Sequence, residues 1–327
     1  MNIKITAITL LAIFVAIIIF YFVMNWYPSN FDSTYTWVEH IKNKSNKSKI
    51  LIFGSSHTGS LDTNYIQEYL IKNGADYEVY NLSIASDYPT RRAESIGYIS
   101  ELEPKMILYG IDIRMFEGQS SGKEENLTAL QISKINDVLP NTKEFFELVV
   151  FPLTDNEFFT KIPKSPKIVT LQTIKHFVRN SDNITELDID SNRPFFNIEN
   201  NVNPIVDIEE MEKEVENKQF YGINLEANRE FDTLKEIARE LENKDIKLVI
   251  FATPNSRTFL NWLPTEGEIV FEQLFKEIEK TGVTVYPKHD RYADHNIWTN
   301  IDHVVENESG IIYSQDVAKM ILKEIRK

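Results

Sequence analysis

Residues 5–24 form an unbroken apolar run, and this run constrains the architecture of the chain more than any other feature. Its sequence, ITAITLLAIFVAIIIFYFVM, contains no charged side chain. A helix of about 20 apolar residues is long enough to cross the hydrocarbon core of a bilayer. Trp26 and Tyr27 follow at the expected membrane interface, and Pro28 ends the helix. We therefore predict a transmembrane anchor over 1–27.

A cleaved signal peptide is the alternative interpretation of the same run. Signal peptides commonly have an apolar region of about 7–15 residues that ends in small residues, whereas residues 22–25 here are FVMN. Lys4 precedes the run, and the next basic residue is Lys42. This asymmetry predicts a single-pass protein of the cell membrane, in contact with the lipid bilayer through 5–24 and with its bulk extracytoplasmic. The lysines at 42–49 weaken this orientation.

Composition excludes several classes of function. The chain has no cysteine, which rules out disulfides, thiolate chemistry and cysteine zinc sites. The net charge of −14 argues against nucleic acid as a partner, because phosphate binding needs a basic face. No glycine-rich phosphate loop is present. The histidines and aspartates within 289–295 match no known ligand spacing, so we predict a solvated loop, no metal and no cofactor.

The rest of the chain follows an α/β pattern. Residues 28–48 are polar and include NKSNKSK, which predicts a stalk or linker. From 49 onward, short apolar runs alternate with amphipathic segments, which predicts a parallel sheet covered on both faces. The expected strands are 50–53, 77–82, 106–109, 247–251 and 283–286, and the expected helices are 64–73, 90–102, 225–243, 266–281 and 309–325. The alternation breaks over about 113–225, which predicts an inserted cap or lid.

Two segments carry residues suited to nucleophilic chemistry. Gly54-Ser55-Ser56 follows the first strand, which places the Ser56 hydroxyl at the mouth of the sheet near a helix N-terminus. A serine needs a base to act as a nucleophile, and His303 beside Asp302 precedes the last helix. The ordinary alternatives are a helix-capping serine and a solvated loop histidine. His57 follows Ser56 and is expected to point elsewhere.

Taken in order, four segments resemble the blocks of the SGNH (GDSL-type) hydrolase family. They are Gly54-Ser55-Ser56, residues 81–87 (NLSIASD), residues 110–113 (GIDI) and residues 300–303 (NIDH). The resemblance covers about 49–112 and 226–327. It implies a three-layer, flavodoxin-like fold for 49–327, Ser56 as nucleophile, His303 as base, and an oxyanion hole that includes Ser86 and Asp112.

The oxyanion positions depart from the family pattern. The family glycine falls on Ser86, whose backbone N–H can still donate a hydrogen bond. The family asparagine falls on Asp112, and an ionised carboxylate has no proton to donate. Losing one oxyanion donor typically lowers the rate about 10²–10³-fold.

The acid of the catalytic triad departs from the pattern as well. The family aspartate falls on Asn300, three residues before His303. Asp302 takes that role if the loop turns its carboxylate back towards the imidazole. The alternatives are a Ser56–His303 dyad, or a shifted register that places Val305 in the base position and leaves no base.

Membrane-anchored members of this family imply acyl transfer to or from surface glycans. The resemblance therefore predicts an esterase or O-acyltransferase that acts on a cell-surface glycan or lipid, with a glycan or an acyl-donor membrane protein as a possible partner. The alternative is a catalytically inactive surface protein of the same fold that binds a glycan or a membrane partner. Arg91 and Arg92 are candidates for binding an anionic substrate group, and a surface salt bridge is the alternative.

Overall fold

A parallel β-sheet forms the centre of the molecule. The computed structural model describes residues 33–118, 189–195, 205–216 and 218–327. The strands in these ranges are β1 (Lys49–Phe53), β2 (Glu78–Asn81), β3 (Met106–Ile111), β4 (Lys247–Ala252) and β5 (Thr284–Tyr286). They pair in the order β2-β1-β3-β4-β5, parallel throughout. This order is that of flavodoxin-like doubly wound sheets, so the predicted parallel α/β sheet is confirmed.

Helices cover both faces of the sheet. β2 and β3 lie on opposite sides of β1, so right-handed crossovers place their connecting helices on opposite faces. The helix at Thr63–Lys72 packs against the helix at Ile311–Ile325, and the helix at Pro89–Ile99 packs against those at Ser33–Lys44 and Arg229–Asn243. The helices in the described ranges are α1 (Ser33–Lys44), α2 (Ser56–Gly59), α3 (Thr63–Lys72), α4 (Pro89–Ile99), α5 (Ile208–Val215), α6 (Arg229–Asn243), α7 (Arg257–Trp262), α8 (Thr265–Glu279) and α9 (Ile311–Ile325).

The central strands β1 and β3 are almost entirely apolar because both of their faces are buried. Every residue of β1 (KILIF) and β3 (MILYGI) is buried. Strands covered on both faces read as continuous apolar runs, without the alternation of a half-exposed sheet. Lys49 fits at the start of β1 because its ammonium group donates to the carbonyls of Ser45 and Lys47.

The polar segment before β1 differs from its prediction. The sequence predicts a stalk over 28–48, but α1 occupies Ser33–Lys44 and packs against α4. Trp37, Val38 and Ile41 are fully buried. Their spacing places them on one side of a helix, and that side joins the core. The linker prediction is therefore wrong for this part of the chain.

Two other predictions fall largely outside the described residues. The predicted anchor at 5–24 lies outside them, and within the described ranges no helix is both long and apolar enough to cross a membrane. Most of the predicted insertion at 113–225 also lies outside them. Its described parts include two 3₁₀ turns, Ile113–Phe116 and Leu225–Ala227, together with 189–195 and α5. The insertion stays a prediction.

Gly110, near the end of β3, allows α2 to lie against the sheet. A Cβ atom added there would lie 2.3 Å from Thr58 Cγ2 and 2.8 Å from Phe251 Cζ. We expect Gly110→Ala to lower the free energy of unfolding by about 1–3 kcal/mol, because the added methyl group overpacks this contact. Gly97→Ala is the matched control, since open space surrounds Gly97 on α4 and alanine favours a helix. Urea denaturation of both variants tests this, and equal midpoints would contradict it.

Candidate active site

Ser56 begins α2 directly after the turn that ends β1. Ser55 is the N-cap of this short helix, and its hydroxyl accepts from the backbone N–H of His57. The side-chain amide of Asn81, the last residue of β2, donates to the carbonyl of Thr58 at 2.8 Å. These contacts hold α2 at the carboxyl end of the sheet, where doubly wound folds collect their functional residues.

The loop that carries His303 is a small closed hairpin. Trp298 and Val304 form an antiparallel bridge at its base. At its tip, the Asn300 Oδ1 atom accepts from the backbone N–H groups of Asp302 at 3.0 Å and His303 at 2.8 Å. An asparagine that accepts from the backbone two and three residues ahead stabilises a turn. Asn300 therefore shapes the loop that directs the His303 ring towards α2.

The structure brings Ser56, His303 and Asp302 together. His303 Nε2 lies 2.7 Å from Ser56 Oγ, and His303 Nδ1 lies 2.6 Å from Asp302 Oδ1. The loop thus turns the Asp302 carboxylate back to the imidazole, as the triad arrangement requires. Asn300 Oδ1 is also near Nδ1, at the longer distance of 3.1 Å. Val305, the alternative in the shifted register, is buried in the core.

Asp302 is suited to orient the imidazole because it is both buried and ionised. Its side chain is 2% exposed, against 29% for His303. Burial alone would raise the pKa of the Asp302 carboxyl, but the hydrogen bond from His303 and the charge of Arg114 hold that pKa well below its usual range. An ionised carboxylate accepts a hydrogen bond from Nδ1–H, which leaves the Nε2 lone pair facing Ser56 Oγ.

Arg114 is a site residue that the sequence does not reveal. It lies in the 3₁₀ turn after β3, and its Nη2 atom is 2.7 Å from Asp302 Oδ2. Its Nε atom donates to Asp112 Oδ1 at 3.1 Å, and its backbone N–H donates to the same oxygen at 2.9 Å. The contact with Asp302 joins residues far apart in the sequence, so no local pattern could indicate it.

The same contacts correct the prediction for Asp112 in the oxyanion hole. Burial opposes ionisation of this carboxyl, but the guanidinium of Arg114 overcomes that effect and holds the pKa of Asp112 below its usual value. Asp112 is therefore an ionised hydrogen-bond acceptor, engaged with Arg114. It has no proton to offer an oxyanion, so the donor role does not hold for its side chain.

His57 also differs from expectation, because its ring faces the site. It stacks on His303 with 4.3 Å between the ring centroids and 23° between the ring planes. His57 Nδ1 lies 2.6 Å from Ser55 Oγ, and the imidazole is buried. The prediction that His57 points elsewhere is wrong, since the contact depends on where the 298–304 loop returns to the sheet.

The second predicted oxyanion residue, Ser86, lies in the loop after β2. The backbone N–H of Ile84 donates to the carbonyl of Gly54 at 3.0 Å, which ties this loop to the end of β1. Ser86 is exposed and has a positive φ of 55°, an uncommon backbone conformation for a residue with a side chain.

Arg92, a candidate for binding an anionic substrate group, does not face a substrate, because it is fully buried and paired with Asp87.

One group of side chains has spacing suited to a metal ion. His57, Asp302 and His303 offer ligand atoms within 4.8 Å of one another, the one such group of three or more in the described ranges. The Arg114 guanidinium already contacts two of them, at 2.7 Å from both Asp302 Oδ2 and His57 Nε2. Like charge opposes a second cation there, so we assign no metal. In the 289–295 patch, Asp294 pairs with Arg257 on α7.

Comparisons with known proteins add little to this geometry. No family model matches the chain, and no curated protein matches it. Among solved structures, the chain is similar to the crystal structure of TesA, with 8% identity, 83% of this chain and 99% of that chain covered, and a TM-score of 0.37. A similarity at this level does not indicate which activity this protein has. The contacts between the residues of the site are the evidence on its function.

Proposed function

We propose that this protein is an SGNH-type serine esterase or O-acyltransferase with Ser56 as its nucleophile. The observation that supports the proposal is the continuous contact from Ser56 Oγ through the His303 ring to the Asp302 carboxylate, at 2.7 Å and 2.6 Å. A serine, a histidine and an ionised carboxylate in this order define the serine-hydrolase constellation on several unrelated folds.

In the proposed reaction, Ser56 Oγ attacks the acyl carbonyl while His303 Nε2 takes the hydroxyl proton. Asp302 stabilises the imidazolium that forms. The backbone N–H groups of Ser56 and Ser86 hold the carbonyl oxygen as it becomes negative. The leaving alcohol departs with the proton from His303, and the acyl group stays on Ser56. Water or an acceptor hydroxyl then attacks this ester with His303 again as the base, the acyl bond to Ser56 Oγ breaks, and His303 returns the proton to Ser56.

The proposed substrates are acyl groups on cell-surface glycans or lipids. Support comes from the apolar run at 5–24 and from the position of Lys4 before it, which favours a membrane anchor with the α/β domain outside the cell. A glycan or an acyl-donor membrane protein is the proposed partner. The domain begins with α1 at Ser33, close in sequence to the end of the apolar run.

A fluorophosphonate probe tests the nucleophile. We expect the folded protein to form one covalent adduct, mapped to Ser56 by peptide mass spectrometry, because His303 removes the Ser56 proton during attack on phosphorus. Ser56→Ala abolishes the labelling, and Ser309→Ala, at an exposed loop serine, does not change it. Urea-unfolded protein gives no adduct. An unlabelled Ser56 in the folded protein would count against the enzyme.

The second candidate is a non-catalytic protein of the same fold that binds a glycan or a membrane partner. Asp112 favours it, because an ionised carboxylate replaces the oxyanion donor of the family. The distance from Ser56 to His303 favours the enzyme, since a protein without catalysis has no need for a serine within hydrogen-bond reach of a base. Absence of labelling together with retained glycan binding would select this candidate.

A further inference from the structure

Arg114 connects two acidic residues that come from different parts of the chain. Asp112 follows β3, and Asp302 lies in the hairpin loop before α9. The guanidinium donates through Nε to Asp112 Oδ1 at 3.1 Å, and its Nη2 atom forms an ion pair with Asp302 Oδ2 at 2.7 Å. Both carboxylates are 2% exposed, and the Arg114 side chain is 29% exposed. Asp112 thus holds Arg114, and Arg114 reaches the residue that orients His303.

The charge of Arg114 adds to the contacts that keep the buried Asp302 carboxylate ionised. An unpaired carboxylate in a buried position takes up a proton. A protonated Asp302 would no longer stabilise a positive imidazolium on His303. His303 Nδ1 forms a hydrogen bond with Asp302 Oδ1, and Arg114 Nη2 forms an ion pair with Asp302 Oδ2. The two contacts fix the plane of the carboxylate as well as its charge.

The contact between Arg114 and His57 determines which nitrogen of His57 carries a proton. Arg114 Nη2 lies 2.7 Å from His57 Nε2, and a guanidinium can only donate. His57 Nε2 is therefore the acceptor, and its proton sits on Nδ1, which donates to Ser55 Oγ at 2.6 Å. The 3.4 Å contact between His57 Nε2 and Asp302 Oδ1 then carries no hydrogen bond. His57 is neutral in this arrangement.

We propose that Arg114 is a positioning residue that keeps Asp302 ionised and His57 neutral, so that His303 alone takes the proton of Ser56. Two imidazoles stack within the site, and both lie near the same carboxylate. Because Arg114 donates to His57 Nε2, His57 is a hydrogen-bond acceptor there, and Asp302 accepts from His303 and not from His57. The role in proton transfer rests on the proposed esterase or acyltransferase function, whereas the tautomer of His57 does not.

The groups that face the guanidinium are known from the structure. They are the carboxylates of Asp112 and Asp302, the nearby charge of Glu117, the imidazole of His57, and the ring of Phe259, whose centroid is 5.7 Å from Arg114 Cζ. The acidic residues raise the pKa of Arg114 further above its usual value, although burial opposes this effect. The guanidinium of Arg114 therefore stays protonated, and a hydrogen-bond donor, around neutral pH.

Nitrogen NMR of histidine-labelled protein tests the tautomer without any substrate. We expect His57, identified through His57→Gln, to show the Nδ1–H tautomer at neutral pH, because Arg114 donates to its Nε2 atom. Arg114→Met removes the donor, so His57 shifts towards the Nε2–H form that can donate to Asp302. A wild-type His57 in the Nε2–H or cationic form at neutral pH would overturn the proposal.

The rate of fluorophosphonate labelling tests the consequence for Ser56. We expect Arg114→Met to slow labelling by a factor that approaches, without exceeding, the roughly 10⁴-fold loss typical when the triad aspartate is neutralised. Arg114→Lys keeps the charge and should recover part of the rate. Arg257→Met, in an exposed ion pair, is the control and should label normally. If wild type labels and Arg114→Met labels equally fast, the proposal fails while the proposed function stands.

Discussion

Asp302→Asn is expected to lower kcat for ester hydrolysis or acyl transfer by about 10⁴-fold, the loss seen when a triad aspartate becomes an amide. Asp302 Oδ1 lies 2.6 Å from His303 Nδ1 and is the nearest oxygen to that nitrogen. An amide carries no charge to stabilise the imidazolium, and its NH₂ group favours the wrong tautomer of His303. Circular dichroism of the variant shows whether the fold is retained.

The neighbouring Asn300 supplies a second arm for this experiment. Its Oδ1 atom lies 3.1 Å from the same His303 nitrogen. We expect Asn300→Asp to stay active, and the double variant Asn300→Asp with Asp302→Asn to regain part of the lost rate, since a carboxylate again faces the imidazole. Activity of Asp302→Asn within tenfold of wild type would show that Ser56 and His303 act as a dyad.

Arg92→Ala is expected to lower the free energy of unfolding by about 3–5 kcal/mol, the usual effect of removing one partner of a buried ion pair. Arg92 and Asp87 both have fully buried side chains, and Arg92 Nε donates to Asp87 Oδ2 at 3.1 Å. The Arg92 guanidinium also donates to the Leu82 carbonyl and lies 4.3 Å from the centre of the Phe53 ring. It therefore joins both ends of the loop that carries Ser86 to β1.

Arg91 provides the matched control for this prediction. It is the preceding residue, but it is exposed and donates only to backbone carbonyls of the loop. Arg91→Ala should leave the urea midpoint near that of wild type. Replacing both buried partners, as in Asp87→Leu with Arg92→Met, should recover stability, because no unpaired charge stays buried. Equal midpoints for Arg91→Ala and Arg92→Ala would contradict the prediction.

The sheet is predictable from sequence because its signal is local. β1, β3 and β4 are short apolar runs, and turn residues such as Gly54 follow them. Parallel pairing follows from the helices between the strands. α1 escaped prediction because only three of its residues, Trp37, Val38 and Ile41, reach the core in full, and the lysines around them read as a solvated linker.

The residues of the site also differ in whether a local sequence signal predicts them. Ser56 and His303 are predictable because their residue types stand at strand and loop ends where such a fold collects chemistry. The roles of Asp302, Arg114 and His57 depend on how the 298–304 hairpin approaches α2 and the turn after β3, and these elements lie far apart in sequence. No period or motif in the sequence indicates how these elements approach one another. The sequence therefore predicts neither the contacts of Arg114 nor the direction of the His57 ring.

Together with the predicted anchor, the packing of α1 would limit how far the proposed active site can travel from a membrane. If the apolar run at 5–24 is a membrane anchor, only residues 25–32 separate it from α1, which is described from Ser33 onward. A fully extended connection of that length reaches at most about 29 Å. A short tether of this kind raises the effective concentration of a co-anchored reactant towards the millimolar range. The domain would then work in a thin layer beside the bilayer, and weak intrinsic affinity for a surface glycan would suffice for turnover.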